Sequence, residues 1–228
     1  MRIFVQHCRS NWRCHYRGIC VKDIFSDENI LICFKPQGIE TASDSKKDTL
    51  EKQVGACAVH RLDVNTEGLV VFAKNERTKQ ELENGFKQGF IEKTYLALCF
   101  GKLRISPVIL VGYLRKDSSN GMVKVSKIKT KDSKPIKTVA QNIKDIGDFS
   151  LLEIKPLTGR THQIRAHLQS IGIFVVGDPK YGDFKLNRMY GYKKQCLCAT
   201  EIKFHFPQNS HLRYLNSKNF NTIPTFLS

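Results

Sequence analysis

In "VHRLDVNTEGLVVFAKN" (residues 59–75) a histidine, an arginine and an aspartate, His60, Arg61 and Asp63, stand just ahead of a run too apolar to be anything but buried. A carboxylate at the mouth of a core can act as a nucleophile or as the partner of developing positive charge. Desolvation there raises its pKa by whole units unless a cation stands close. The segment "GRTHQIRAHLQSIG" (residues 159–172) supplies candidates, because a helical projection gathers His162, Arg165 and Gln169 on one side. In "KTYLALCFG" strand alternation groups Tyr95 with Ala97 and Cys99, small neighbours that leave room beside the ring.

These residues need rigid elements to hold them. "NILICFKPQGIE" reads as a buried strand closed by a Pro-Gly turn, and "GLVVFAKN" as a second strand apolar on both faces, so both belong in mid-sheet. Asn75 predicts an N-cap for a helix through "ERTKQELENGFK", with Leu82 and Phe86 on its buried side. The strand carrying Tyr95 turns Leu96, Leu98 and Phe100 to its other face. "DFSLLEIKP" forms a strand that leads through "LTG" into a helix over "RTHQIRAHLQSIG". Thr161 is expected to cap that helix and Gly172 to end it, with Ile164, Leu168 and Ile171 facing the core.

The chain of 228 residues contains no internal repeat and no linker that would divide it. The reading is one domain over residues 21–228 behind a short N-terminal arm, residues 1–20. Thirty-seven Lys and Arg against 21 Asp and Glu give a net charge of +16, which points to a polyanionic partner, nucleic acid or an anionic membrane. Membrane spanning is not expected, because the longest uncharged apolar stretch, residues 105–114, is half the roughly 20 residues a spanning helix needs. The basic N-terminus lacks the apolar run of a secretory signal, so a cytoplasmic location is the expectation. Eight cysteines form no CxxC pair and read as reduced, mostly structural thiols. The group His7, Cys8, Cys14, His15 and Cys20 misses the spacing of a zinc knuckle, and no P-loop or dinucleotide fingerprint is present, so neither a metal nor a nucleotide cofactor is expected.

"HRLD" followed by "TEGLVVFAK", "KTYLALCFGK" and "GRTHQIRAHLQSIG…GDPKYG" resembles, in order and in separation, the RluA-type pseudouridine synthases, from about residue 30 to about residue 207. The resemblance implies an α+β fold: a central mixed, mostly antiparallel sheet flanked by helices, with a cleft across its middle. It implies a cofactor-free isomerisation in which a uridine of ribosomal or transfer RNA loses its C1′–N1 bond and gains a C1′–C5 bond. RNA is the expected partner, and a monomer the expected state. The S4-like domain that many relatives carry in front is not expected, since about 28 residues precede the first motif strand. Glu67 stands where many relatives have Ser, and "CLCA" (residues 196–199) lacks the His usual before that Ala; both bear on substrate class rather than on chemistry.

Carried over by motif, Asp63 is the catalytic aspartate, whether it attacks C1′, attacks C6 or abstracts a proton to form a glycal. Arg165 is its paired cation, and Tyr95 lies against the uracil, placed for proton transfer at C5. Arg61 either fills the space left by a flipped base or contacts a phosphate. His60 reads best as a structural histidine near the site, while Arg160, His162 and Gln163 are RNA-contact candidates from the second motif. Lys127, Lys129 and Lys131 alternate through "VKVSKIKTK" as in a hairpin or extended ribbon, either a solvated face or a rim that grips RNA. Two alternatives carry different products: an RNA-folding protein on the same scaffold changes no nucleotide, and a base-excising glycosidase releases uracil.

Overall fold

Runs of period-two and continuously apolar sequence give, in the computed structural model, one sheet with four short helices; it describes residues 12–14, 20–43, 48–117 and 121–228. The strands are β1 (Trp12–Cys14), β2 (Cys20–Ser26), β3 (Ile30–Lys35), β4 (Cys57–Ala58), β5 (Glu67–Ala73), β6 (Ile91–Phe100) and β7 (Val108–Lys116). They continue with β8 (Val123–Ser126), β9 (Lys134–Ile146), β10 (Phe149–Pro156), β11 (Phe174–Val175), β12 (Leu197–Phe204) and β13 (Phe220–Asn221). The helices are α1 (Leu50–Val54), α2 (Glu76–Gln88), α3 (Gln163–Gln169) and α4 (Phe184–Met189). Strand order runs β1-β2-β3-β5-β12-β6-β10-β9-β7-β8, with β4, β11 and β13 paired off this path. Among the described residues only β5 and β12 pair in parallel, so the sheet is mixed and mostly antiparallel.

β5 is buried at every position, as a continuous apolar run in mid-sheet requires. Alternation along β3 and β5 sends Leu31, Cys33, Val70 and Phe72 to one face, where they meet Tyr95, Ala97, Leu152, Ile154, Ile164 and Leu168. The opposite face carries Ile30, Ile32, Leu69 and Val71 against Leu82 of α2. α2 starts where expected, Asn75 accepting a hydrogen bond from the Thr78 amide at 2.9 Å, and partly buried Phe86 packs with the same cluster. β5 and β12 approach so closely that a Cβ on Gly68, at φ +121°, would lie 2.3 Å from the Ala199 carbonyl oxygen. Only glycine serves there.

Three expectations are corrected. α3 begins at Gln163 rather than after a Thr161 cap: His162 is the cap residue, in the left-handed region at φ 53° and ψ 18°, without a side-chain cap bond. The helix ends at Gln169, so Ile171 leaves its helical phase and is 44% exposed, while Ile173 takes the buried place. The basic segment is a strand only over Val123–Ser126; Lys127, Lys129 and Lys131 lie exposed in the connection to β9. β8 and β9 pair with opposite edges of β7, so that connection must cross the end of β7 and cannot close a hairpin. β1 extends the sheet beside β2, and the rest of the expected arm, with the side chains of His7, Cys8, Cys14, His15 and Cys20, lies outside the described residues. Cys33, Cys99, Cys196 and Cys198 are buried thiols and Cys57 an exposed one. No helix among the described residues is long and apolar enough to cross a membrane.

Candidate active site

Asp63 sits in the loop that enters β5, and the residues on either side of it are pinned. Thr41 Oγ1 accepts from the Leu62 amide at 3.1 Å and donates to the Leu62 carbonyl at 3.2 Å. The Val64 carbonyl takes the Gly38 amide at 2.9 Å and the Lys35 ammonium at 3.1 Å. Lys35 is wholly buried and donates also to the carbonyls of Pro36 and Ile39, each at 2.9 Å. Burial lowers its pKa to about 8, opposed by the negative charges of Asp63 and Glu67. Three carbonyl acceptors around Lys35 Nζ suit its ammonium form, which puts positive charge beside the loop.

Arg165 reaches Asp63 from α3. Its Nη1 donates to Asp63 Oδ2 at 2.8 Å, while Nε and Nη2 donate to the two oxygens of Asp178 at 2.6 and 2.8 Å. The guanidinium lies 4.9 Å from the centroid of the Tyr181 ring. Burial works against the charge on Arg165, but the hydrogen bonds and charges of Asp178 and Asp63 outweigh it and raise the pKa. For Asp178 burial favours the neutral acid, but bonds from Arg165 and from the amides of Tyr181 and Lys180 hold the carboxyl below the usual range. Bidentate pairing to Asp178 aims the third guanidinium nitrogen at Asp63.

Asp63 Oδ1 accepts no hydrogen bond among the described residues; the group facing it is His162 Nε2 at 4.0 Å. His162 Nδ1 lies 3.0 Å from the Tyr181 hydroxyl, whose oxygen accepts the Val123 amide at 2.8 Å. Burial, then Arg165 and Lys180, lowers the His162 pKa against the pull of Asp63 and Asp178, so the imidazole is neutral at physiological pH. Tyr95 is buried on β6 and belongs to the same core cluster as Leu62 and Ile164. Burial first, then the charge of Asp63, raises its pKa far above the tyrosine range and keeps the phenol protonated.

Asp63, Arg165, His162 and Tyr95 thus meet in one place. The other candidates do not join them there. His60 Nε2 accepts the Val71 amide at 3.0 Å and its ring packs on Phe86, on the α2 side of the sheet. Burial and then Lys93 push its pKa well down, which fits a structural histidine. Gln163 is buried and uses its amide inside the protein, taking bonds from Thr158 and the Arg160 amide and giving them to Lys137 and Thr138. Its geometry shapes the turn before α3 and leaves nothing for a ligand. Arg61 and Arg160 have exposed side chains near the two motif segments, and Lys127, Lys129 and Lys131 are exposed beyond β8. Among the described residues no three His, Cys, Asp or Glu side chains converge as metal ligands.

Lys35, Asp178 and Tyr181 were not singled out in the sequence. A signal existed for Asp178: "FVVGD" sets an acid at the end of a buried apolar run, the mirror of the pattern that marks Asp63. Lys35 had only its place at the end of a buried strand, and Tyr181 had none beyond the motif that contains it.

The family model for RNA pseudouridylate synthase matches residues 29–170. An uncharacterized RNA pseudouridine synthase of Mycoplasma genitalium is 36% identical over 206 residues, covering 81% of this chain and 63% of that protein. A ribosomal large subunit pseudouridine synthase C of Rickettsia bellii is 34% identical over 176 residues, covering 72% and 57%. The chain therefore spans less than two thirds of the length of these curated relatives. Among solved structures, human RNA pseudouridylate synthase domain containing 1 superimposes with a TM-score of 0.69 at 24% identity, over 90% of this chain and 89% of that one. Human RNA pseudouridylate synthase domain containing 4 gives 0.72 at 18% identity over the same shares.

Proposed function

The chain belongs to the RNA pseudouridylate synthase family, and on that premise we propose that it isomerises uridine to pseudouridine in RNA with Asp63 as the acting carboxylate. The observation that carries the proposal is a carboxylate with one oxygen fixed by a buried arginine and the other oxygen open. Attack at C1′, attack at C6 and proton abstraction at C2′ all need an ionised carboxylate in a site that excludes water. Arg165, itself held by Asp178, and Lys35 beside the loop supply the positive charge that offsets desolvation. The Tyr95 phenol, held protonated, would lie against the uracil and serve as a proton donor to the ring, while an ionised carboxylate or water takes up the C5 proton. The sum of the reaction breaks C1′–N1, forms C1′–C5, releases the C5 proton and returns one to N1, so it consumes no co-reactant.

The net charge of +16, with Arg61, Arg160 and Lys180 exposed close in sequence to Asp63, His162 and Asp178, favours RNA as the macromolecular partner. Ribosomal RNA is the favoured class, since relatives of this chain bear the name ribosomal large subunit pseudouridine synthase C; transfer RNA is the other outcome. The chain is expected to act as a monomer in the cytoplasm. The test incubates the protein and EDTA with ribosomal or transfer RNA transcripts, digests them to nucleosides and quantifies pseudouridine and free uracil by mass spectrometry. Pseudouridine without uracil supports the proposal. Free uracil makes the protein a glycosidase, and bound RNA with neither product makes it an RNA-folding protein.

A further inference from the structure

Resting on the isomerase reading, we propose that His162 and Asp63 together form a seat for the 2′-hydroxyl of the target ribose, with Tyr181 as the residue that sets the imidazole. His162 Nε2 and Asp63 Oδ1 are 4.0 Å apart, too far for a hydrogen bond to each other. Their side chains are 14% and 20% exposed, whereas Arg165 and Asp178 behind them are 4% and 0% exposed. An incoming ligand therefore meets this pair and not the ions that support it.

We assign the tautomer from the buried Tyr181 hydroxyl, for whose proton His162 Nδ1 is the acceptor at hand among the described residues. The Tyr181 oxygen accepts the Val123 amide, so its own proton is available to His162 Nδ1. With Nδ1 an acceptor, the neutral ring carries its proton on Nε2, facing Asp63. The gap thus presents one donor and one carboxylate acceptor. A group bridging them must accept and donate at once, which a hydroxyl does and a uracil carbonyl or a phosphate oxygen does not. A phosphate would also be repelled by Asp63. At 4.0 Å a hydroxyl oxygen set to one side of the line reaches both partners at ordinary hydrogen-bond length. Of the hydroxyls near C1′, the 2′-hydroxyl is on the adjacent carbon, where Asp63 must work.

The backbone is built for this placement. His162 is the one non-glycine residue with positive φ among the described residues, a conformation that costs free energy and persists where the surroundings impose it. A right-handed residue there would add one residue to the start of α3 and re-aim the imidazole. The seat gives the protein a way to distinguish RNA from DNA at the reacting nucleotide.

The experiment compares RNA carrying uridine at the target position with the same RNA carrying a single 2′-deoxyuridine there, reading kcat/KM by tritium release and Kd by filter binding. The enzymes are wild type, His162→Gly, which removes the ring and suits the positive φ, and Tyr181→Phe, which removes only the hydroxyl. In the wild type, removing the 2′-hydroxyl should lower kcat/KM by roughly 10- to 100-fold. In His162→Gly that penalty should shrink to less than about 3-fold, with an intermediate value for Tyr181→Phe. An unchanged penalty in His162→Gly, with the variant folded by its thermal midpoint, overturns the seat. A wild type that binds both RNAs and isomerises neither sinks the isomerase reading instead, and the ratio of the two Kd values across the variants still decides the seat.

Discussion

Asp178 is wholly buried, yet it fixes the group that fixes Asp63. It accepts from Nε and Nη2 of Arg165 and from two backbone amides. Asp178→Asn keeps the shape and removes the charge, leaving Arg165 with one anionic partner in a desolvated site. Such a change should cost about 3–5 kcal/mol of stability, read from urea unfolding at pH 7, and should lower turnover by roughly 10- to 100-fold as the Arg165 fork loses its aim. The pH dependence has a definite sign. The folded pKa of Asp178 lies below its unfolded value, so its contribution is present above that unfolded value and is lost as pH falls through the folded one. The stability gap between wild type and Asp178→Asn should therefore narrow below about pH 4; a gap independent of pH would show that the charge plays no part. Asp63 was legible because an acid before an apolar run is chemically odd, and Arg165 because the motif and the helical stripe agree. Tyr181 was hidden because its role depends on a hydroxyl that meets Val123 and His162 from elements far apart in the chain.

At the scale of elements, alternation and apolar runs were enough to place β3, β5, β6 and β10, and an asparagine cap placed α2. The misplacements have one cause: local pattern does not see what a neighbouring element imposes. α3 starts one residue late because His162 is turned into the left-handed region, and the lysines of the 127–131 segment leave the strand because β9 pairs on the far side of β7. The parallel contact of β5 with β12 was likewise invisible, though it decides where the Asp63 loop ends. Gly68→Ala places a methyl group against the Ala199 backbone in a conformation that L-residues rarely adopt. The expected cost is at least about 2 kcal/mol, with a larger proportional loss of turnover than of stability, because β5 carries the strain into the Asp63 loop. Equal urea midpoints for Gly68→Ala and wild type would contradict that close approach.

In the function proposed above, the whole molecule divides its labour between a surface that attracts RNA and one carboxylate oxygen that acts on it. The charge of +16 narrowed the partner to nucleic acid or an anionic membrane; the motifs pointed to RNA, and neither says which lysines grip. Replacing Lys127, Lys129 and Lys131 by alanine should reduce the slope of log K against log salt by roughly 2 to 3 units if each meets a phosphate. An unchanged slope would return them to ordinary solvated surface. The second half is tested most directly by Asp63→Asn, assayed for tritium release from RNA labelled at uridine C5 and for filter binding on the same preparation. Binding should survive or tighten, because an acid leaves a site that receives phosphates, while turnover should fall below about 1% of wild type. Tritium release well above that level, with binding intact, would contradict the claim that Asp63 carries the reaction.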